Sequence, residues 1–215
     1  MRNILCYGDS NTWGFMPADG HRYPENVRWT GRLQALFGKE AKIIEEGLNG
    51  RTTVFDDPMS DYQNGLATLT AVLISQKPLD AVVFSLGTND LKFVGAWDSA
   101  AGMGRLIRET LHVDGRYPSA EPVFRGKPRI LVISPIEVDD DLGNRAYDRI
   151  APRRDESKHF AEAYASVCSA LGVEFLDGAK LARPSLKDCV HMDPEGHAAL
   201  AEAVYAKLRE MLGNA

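Results

Sequence analysis

The sequence predicts an α/β protein, a three-layer α/β/α sandwich around a five-stranded parallel sheet. Five short apolar runs read as strands buried on both faces, and most segments between them repeat apolar residues at helical spacing. Polar clusters containing glycine stand directly after the first three runs, where an open parallel sheet places its site.

The first strand is expected over 4–7 and the second over 41–45, separated by a helix over 31–37 with Leu33, Leu36 and Phe37 on one face. A helix over 66–75 leads through Pro78 into a strand over 81–86, the strongest apolar run in the chain. A helix over 100–112 carries Met103, Leu106, Ile107 and Leu111, and Pro118, Pro122 and Pro128 punctuate the path to a strand over 130–133. An alanine-rich helix over 156–171 precedes a strand over 173–176, and a helix over 194–211 closes the fold with Leu200, Val204 and Leu208 in its apolar stripe. The stretches 14–28, 49–64, 114–127 and 136–155 are long for connections, a length often associated with function. Asp139, Asp140 and Asp141 in the last stretch read as a solvated tip, with a divalent-metal site as the alternative.

A chain of 215 residues that is 44% hydrophobic and 26% charged can build one core and coat it, so one domain over 1–215 is expected and disorder is excluded. Its net charge of −5 supplies no electrostatic footprint for nucleic acid. Cys6, Cys168 and Cys189 have neither a disulfide framework nor C-x-x-C spacing, which fits a reducing compartment and argues against sulfur-bound zinc. The apolar run at 4–7 is too short for a signal-peptide core, and no run approaches the ~20 residues that span a bilayer. The expected setting is the cytoplasm, with no membrane partner.

Ser10, in Gly8-Asp9-Ser10-Asn11, follows the first strand at a glycine turn that could present a nucleophile, although Ser and Asp there also suit a plain helix cap. A serine nucleophile needs a base and a group to orient that base. His21, His112 and His159 lack a carboxylate at suggestive spacing. Asp193 and Pro194 match a helix start, which puts His197 inside the last helix. His191 lies just before that helix, and Asp188, three residues earlier, can fold back on its Nδ1 while Nε2 points toward a serine. Donors for a developing oxyanion are available in the Ser10 N–H, the Gly50 N–H and the Asn89 side-chain amide, although Gly50 and Asn89 singly read as turn residues.

Taken in order, Gly8-Asp9-Ser10, the turn ending at Gly50, Gly87-Thr88-Asn89-Asp90 and Asp188-x-x-His191 resemble the four blocks of the SGNH hydrolases, the GDSL-type esterases and lipases. The resemblance implies a flavodoxin-like fold, Ser10 as nucleophile, His191 as general acid and base, Asp188 as its orienter, and Ser10, Gly50 and Asn89 as oxyanion donors, without metal or cofactor. Asn49 directly precedes Gly50, a slight departure from the family pattern that favours Gly50 over Gly47 as the donor. Trp13-Gly14, Val27-Arg28-Trp29-Thr30-Gly31, Glu45-Glu46-Gly47-Leu48 and Arg51-Thr52-Thr53 look like the bacterial arylesterase and acyltransferase branch. That likeness implies a small-molecule ester substrate carrying a short acyl group, such as an aryl acetate or acetylated sugar, and a homo-oligomer, with an octamer suggested. Asn11 and Trp13, close to the nucleophile, are read as substrate-binding. Two rivals stand beside this reading: a metal-dependent phosphoesterase using Asp9, Asp90 and Asp139 to Asp141, and a non-catalytic binding protein that retains the fold.

Overall fold

The structure, a computed structural model, describes residues 1–139, 141 and 147–213. Five parallel strands, β1 (Arg2–Gly8), β2 (Ala41–Gly47), β3 (Ala81–Ser85), β4 (Ile130–Ile133) and β5 (Glu174–Leu176), form one sheet in the order β2-β1-β3-β4-β5. The chain steps to one side of β1 to make β2 and then to the other side to make β3. That reversal is the topological switch of doubly wound folds, and it opens a crevice beyond the carboxyl ends of the flanking strands.

Register aligns that edge. Gly8 of β1 lies opposite Gly47 of β2 and Ser85 of β3, so three strands end in one row and release their connections side by side. The period-2 pleat sorts side chains between two cores. Leu5, Tyr7, Val82, Phe84, Ile130 and Val132 pack on α3 (Gly65–Ser75), α4 (Ala96–Arg116) and α5 (Phe160–Leu171). Ile4, Cys6, Ala81, Val83, Leu131 and Ile133 pack on α2 (Trp29–Phe37) and α7 (Pro194–Leu212). The layering is the expected α/β/α sandwich.

Several boundaries differ from the sequence expectation. Helix α4 begins at Ala96 because the Glu156 carboxylate accepts its first backbone N–H at 3.0 Å, a cap supplied from 60 residues away. Residues Ala151–His159 form 3₁₀ turns before α5, shortening the expected 136–155 connection. Two four-residue helices, α1 (Ser10–Trp13) and α6 (Gly178–Leu181), and a 3₁₀ turn over Thr88–Lys92 are additional. Asp193 occupies the N-cap position of α7 with Pro194 next, but its side chain makes no capping hydrogen bond; its backbone carbonyl accepts from Gly196 and His197. Among the described residues, no helix is long and apolar enough to cross a membrane.

Candidate active site

The row formed by Gly47, Gly8 and Ser85 sets the floor. A Cβ on Gly47 would sit 2.1 Å from the Trp13 backbone nitrogen, so only glycine lets α1 lie directly across the strand ends. Asp9 caps α1 by accepting the Asn11 N–H at 3.0 Å, and Ser10 is its first residue. Both readings of the Gly8-Asp9-Ser10 block therefore describe the same turn. Ser10 is 8% exposed, buried rather than an open-turn serine.

His191 arrives from the loop before α7. Its Nε2 lies 2.7 Å from Ser10 Oγ, and its Nδ1 lies 2.6 Å from Asp188 Oδ2. The other Asp188 oxygen accepts the backbone N–H groups of Val190 and His191 at 3.0 and 2.9 Å. That return of the chain passes through Cys189, a buried residue at φ +64°, the only non-glycine with positive φ among the described residues. Burial acts to raise the Asp188 carboxyl, yet the His191 contact and the two backbone donors hold it below its ordinary value. The loop is fastened further by Ser185 N–H to the His191 carbonyl at 2.7 Å and Met192 N–H to Asn11 Oδ1 at 3.0 Å.

Gly50 and Asn89 meet Ser10 and His191 around one cleft of about 450 Å³. Gly50 turns at φ +78°, the left-handed region that suits glycine. The Asn89 amide donates to the Arg51 carbonyl at 3.2 Å, which fixes the side chain and leaves its second N–H for another acceptor. A serine, an imidazole, a carboxylate and three neutral donors so disposed can transfer a proton from hydroxyl to imidazole while stabilising negative charge nearby.

Asn11 and Trp13 do not line this cleft. Asn11 spends its carbonyl on Met192, and the Trp13 ring stacks under the Arg22 guanidinium at 5.4 Å. The aromatic wall is Phe15, stacked on the His191 ring at 4.2 Å between centroids, and Tyr147, edge-on to it at 5.6 Å. Phe15 follows the left-handed turn at Gly14 and donates its N–H to the Ser10 carbonyl at 2.9 Å, so the turn that ends α1 also sets the wall. Lys92 and Arg149 complete the rim, both paired with the buried Asp57 carboxylate at 3.2 and 3.0 Å. A glycine after the Ser10 helix was a usable signal for Phe15; nothing local in the sequence marks Tyr147, Asp57 or Arg149.

Asp9 and Asp90 are buried carboxyls that burial pushes up to about 6, against the pull of their hydrogen bonds. Asp90 accepts from Thr53 N–H at 2.8 Å, Thr53 Oγ1 at 2.7 Å and Ser99 Oγ at 2.6 Å, so it ties the turn after β2 to the one after β3. Asp139 and Asp141 stay together on their loop, the Asp141 N–H meeting Asp139 Oδ1 at 3.0 Å, while Asp140 lies outside the described residues. No cluster of three or more metal-ligating side chains forms among the described residues. His197 is fully buried in α7, and burial, with the charges of His191, Arg32 and Arg28, lowers it to about 4, which keeps it neutral near pH 7.

The sequence profile of the GDSL-like lipase/acylhydrolase family matches residues 6–199, a span that holds every element of this site. The chain belongs to that family. It is a carboxylic ester hydrolase of the SGNH type. Its structure is similar to that of a carbohydrate acetylesterase family member from Sinorhizobium meliloti, at 35% identity over 100% of both chains with a TM-score of 0.91. It is also similar to the inhibitor-bound aryl esterase of M. smegmatis, at 32% identity over 99% of this chain and 100% of the other, with a TM-score of 0.90. No curated protein sequence matches the chain. The segments that looked like the arylesterase branch have a structural use in this SGNH hydrolase: Glu45 accepts from Arg28 at 2.8 Å, Thr30 at 2.5 Å and Arg22 at 3.1 Å, pinning the 14–28 connection to β2.

Proposed function

We propose that this SGNH hydrolase is a serine esterase that cleaves short acyl esters, acetyl esters of aryl alcohols or carbohydrates, through an acyl-enzyme. The observation that carries the reading is the unbroken chain from Ser10 Oγ to His191 Nε2 at 2.7 Å and from His191 Nδ1 to Asp188 at 2.6 Å, at the floor of a cleft. Ser10 Oγ attacks the ester carbonyl carbon as its proton passes to His191 Nε2, and Asp188 stabilises the imidazolium. The carbonyl oxygen takes up the negative charge and meets the N–H groups of Ser10 and Gly50 and the Asn89 amide. Collapse expels the alcohol, which leaves with the proton from His191. Water then attacks the acyl-serine, giving its proton to His191, and the acid departs as Ser10 is reprotonated.

The preference for small acyl groups is supported by a cleft of about 450 Å³ walled by Phe15, Tyr147 and the rim ion pairs. The acetylesterase and aryl esterase relatives support the same substrate class. Transfer of the acyl group to an alcohol in place of water, a cytoplasmic setting, a single catalytic domain over 1–215 and assembly as a homo-oligomer complete the proposal. Replacing Ser10 by alanine tests its core: turnover of a chromogenic aryl acetate should vanish while the thermal transition is kept, and retained turnover would overturn it. An acyl-length series with added alcohol separates hydrolysis from transfer, and light scattering gives the subunit count.

A further inference from the structure

Arg51 is a buried cation, 5% exposed, that takes no part in the proton relay and does not line the cleft. Its Nη1 donates to the Gly8 carbonyl at 3.0 Å and also to the Glu46 carbonyl, bridging the ends of β1 and β2 one strand row from the site. Its guanidinium lies over the Tyr7 ring at 4.1 Å. No carboxylate lies within ion-pair distance of it among the described residues, so carbonyls and a ring face hold the charge. Its backbone is used as fully as its side chain: the N–H closes the turn that contains Gly50 by bonding the Leu48 carbonyl at 3.1 Å, and the carbonyl receives the Asn89 amide at 3.2 Å.

We propose that Arg51 is the positioning residue of the oxyanion hole, one side chain and one peptide that lock Ser10, Gly50 and Asn89 into a common geometry. This rests on the serine esterase reading above. Ser10 begins two residues after Gly8, Gly50 is the residue before Arg51, and Asn89 hangs from the Arg51 carbonyl. Each of the three donors is therefore one to three covalent or hydrogen-bonded links from Arg51. The guanidinium and the buried Asp9 carboxylate each favour the charged form of the other. A preorganised hole loses transition-state stabilisation when its donors drift by fractions of an ångström, while ground-state binding, made by the cleft walls, changes little.

The test is a double-mutant cycle on an aryl acetate, with thermal denaturation on each variant. Arg51→Met should lower kcat by about 100-fold with KM within about threefold, and affinity for a trifluoromethyl ketone that mimics the tetrahedral state should fall in parallel. In an Asn89→Ala background, where one of the three donors that Arg51 positions is already gone, the same substitution should cost several-fold less than in wild type. Arg51→Lys, which keeps the charge but is one atom too short to bridge both carbonyls, should fall between and replaces Met in the cycle if Met unfolds the chain. Equal losses in both backgrounds, or kcat within threefold of wild type in a folded variant, would overturn the proposal. Wild-type turnover that disappears in Ser10→Ala keeps the esterase reading intact in either case, so the two ideas fail separately.

Discussion

The floor of the cleft hangs from three strand ends that share one row of the sheet, whereas its outer wall, from Tyr147 to Ile150, is tied to the body through the Asp57 ion pairs and ring contacts on His191 and Phe93. Ser10, Asn89, Asp188 and His191 are buried and hydrogen-bonded, as is the Thr53, Asp90 and Ser99 network behind them. At the rim, Arg149 is 45% exposed, and its pair with Asp57 competes with water. Chemistry that depends on geometry sits on the rigid edge, and contacts that can vary without moving the nucleophile sit on a connection.

Substitutions on the two regions should differ in kind as well as size. The largest effect is expected at the floor: Asp188→Asn should lower kcat by about 10⁴-fold, because the imidazole loses the partner that fixes its tautomer, with circular dichroism unchanged. A drop under tenfold would remove Asp188 from the relay. Next, Asn89→Ala should cost about 10²–10³-fold in kcat with KM nearly constant, measured by steady-state kinetics on the same ester.

Behind the floor, Asp90 offers a pH test. Its folded-state value near 6 stands above that of an unfolded aspartate near 3.8, so it favours the folded state fully below the lower value and that contribution is lost as pH rises through the upper one. The loss is on the order of 3 kcal/mol. In Asp90→Asn, denaturant midpoints should decline less than in wild type between pH 4 and pH 7; identical slopes would show that Asp90 does not titrate there. A smaller loss, about 1–3 kcal/mol, is expected for Cys189→Val, since a β-branched side chain resists the +64° φ that turns the chain back onto Asp188, whereas Cys189→Gly should relieve the strain and keep activity. Thermal denaturation of the pair decides it. The rim comes last: Arg149→Ala should change KM for a neutral aryl acetate a few-fold and stability by less than about 1 kcal/mol. A hundredfold loss of kcat there would erase the distinction between floor and rim.

How far the molecule could be read in advance follows the same division. Strand cores such as Ala81 to Ser85 announce themselves as continuous apolar runs, and Asp188 with His191 forms a local pair whose spacing already implies the fold-back. Ser10, Gly50 and Asn89 were legible through position, because each follows a strand. Their convergence needed the register that sets Gly8 against both Gly47 and Ser85, which no local pattern encodes. Asn11 and Trp13 lie off the cleft lining because nearness in sequence to Ser10 does not fix direction once α1 turns the chain. The start of α4 and the aromatic wall depend on Glu156 and Tyr147, partners distant in sequence. Arg51 looked like part of a motif, and its buried side chain also bridges the Gly8 and Glu46 carbonyls.

The most direct test is chemical trapping of the intermediate. An aryl acetate mixed with enzyme and quenched in acid within the burst should leave one acetyl group on the peptide containing Ser10, and mass spectrometry should find none in Ser10→Ala. Turnover accompanied by acylation of another residue, or an unlabelled Ser10 peptide from an enzyme that still turns over in the alanine variant, would contradict the account.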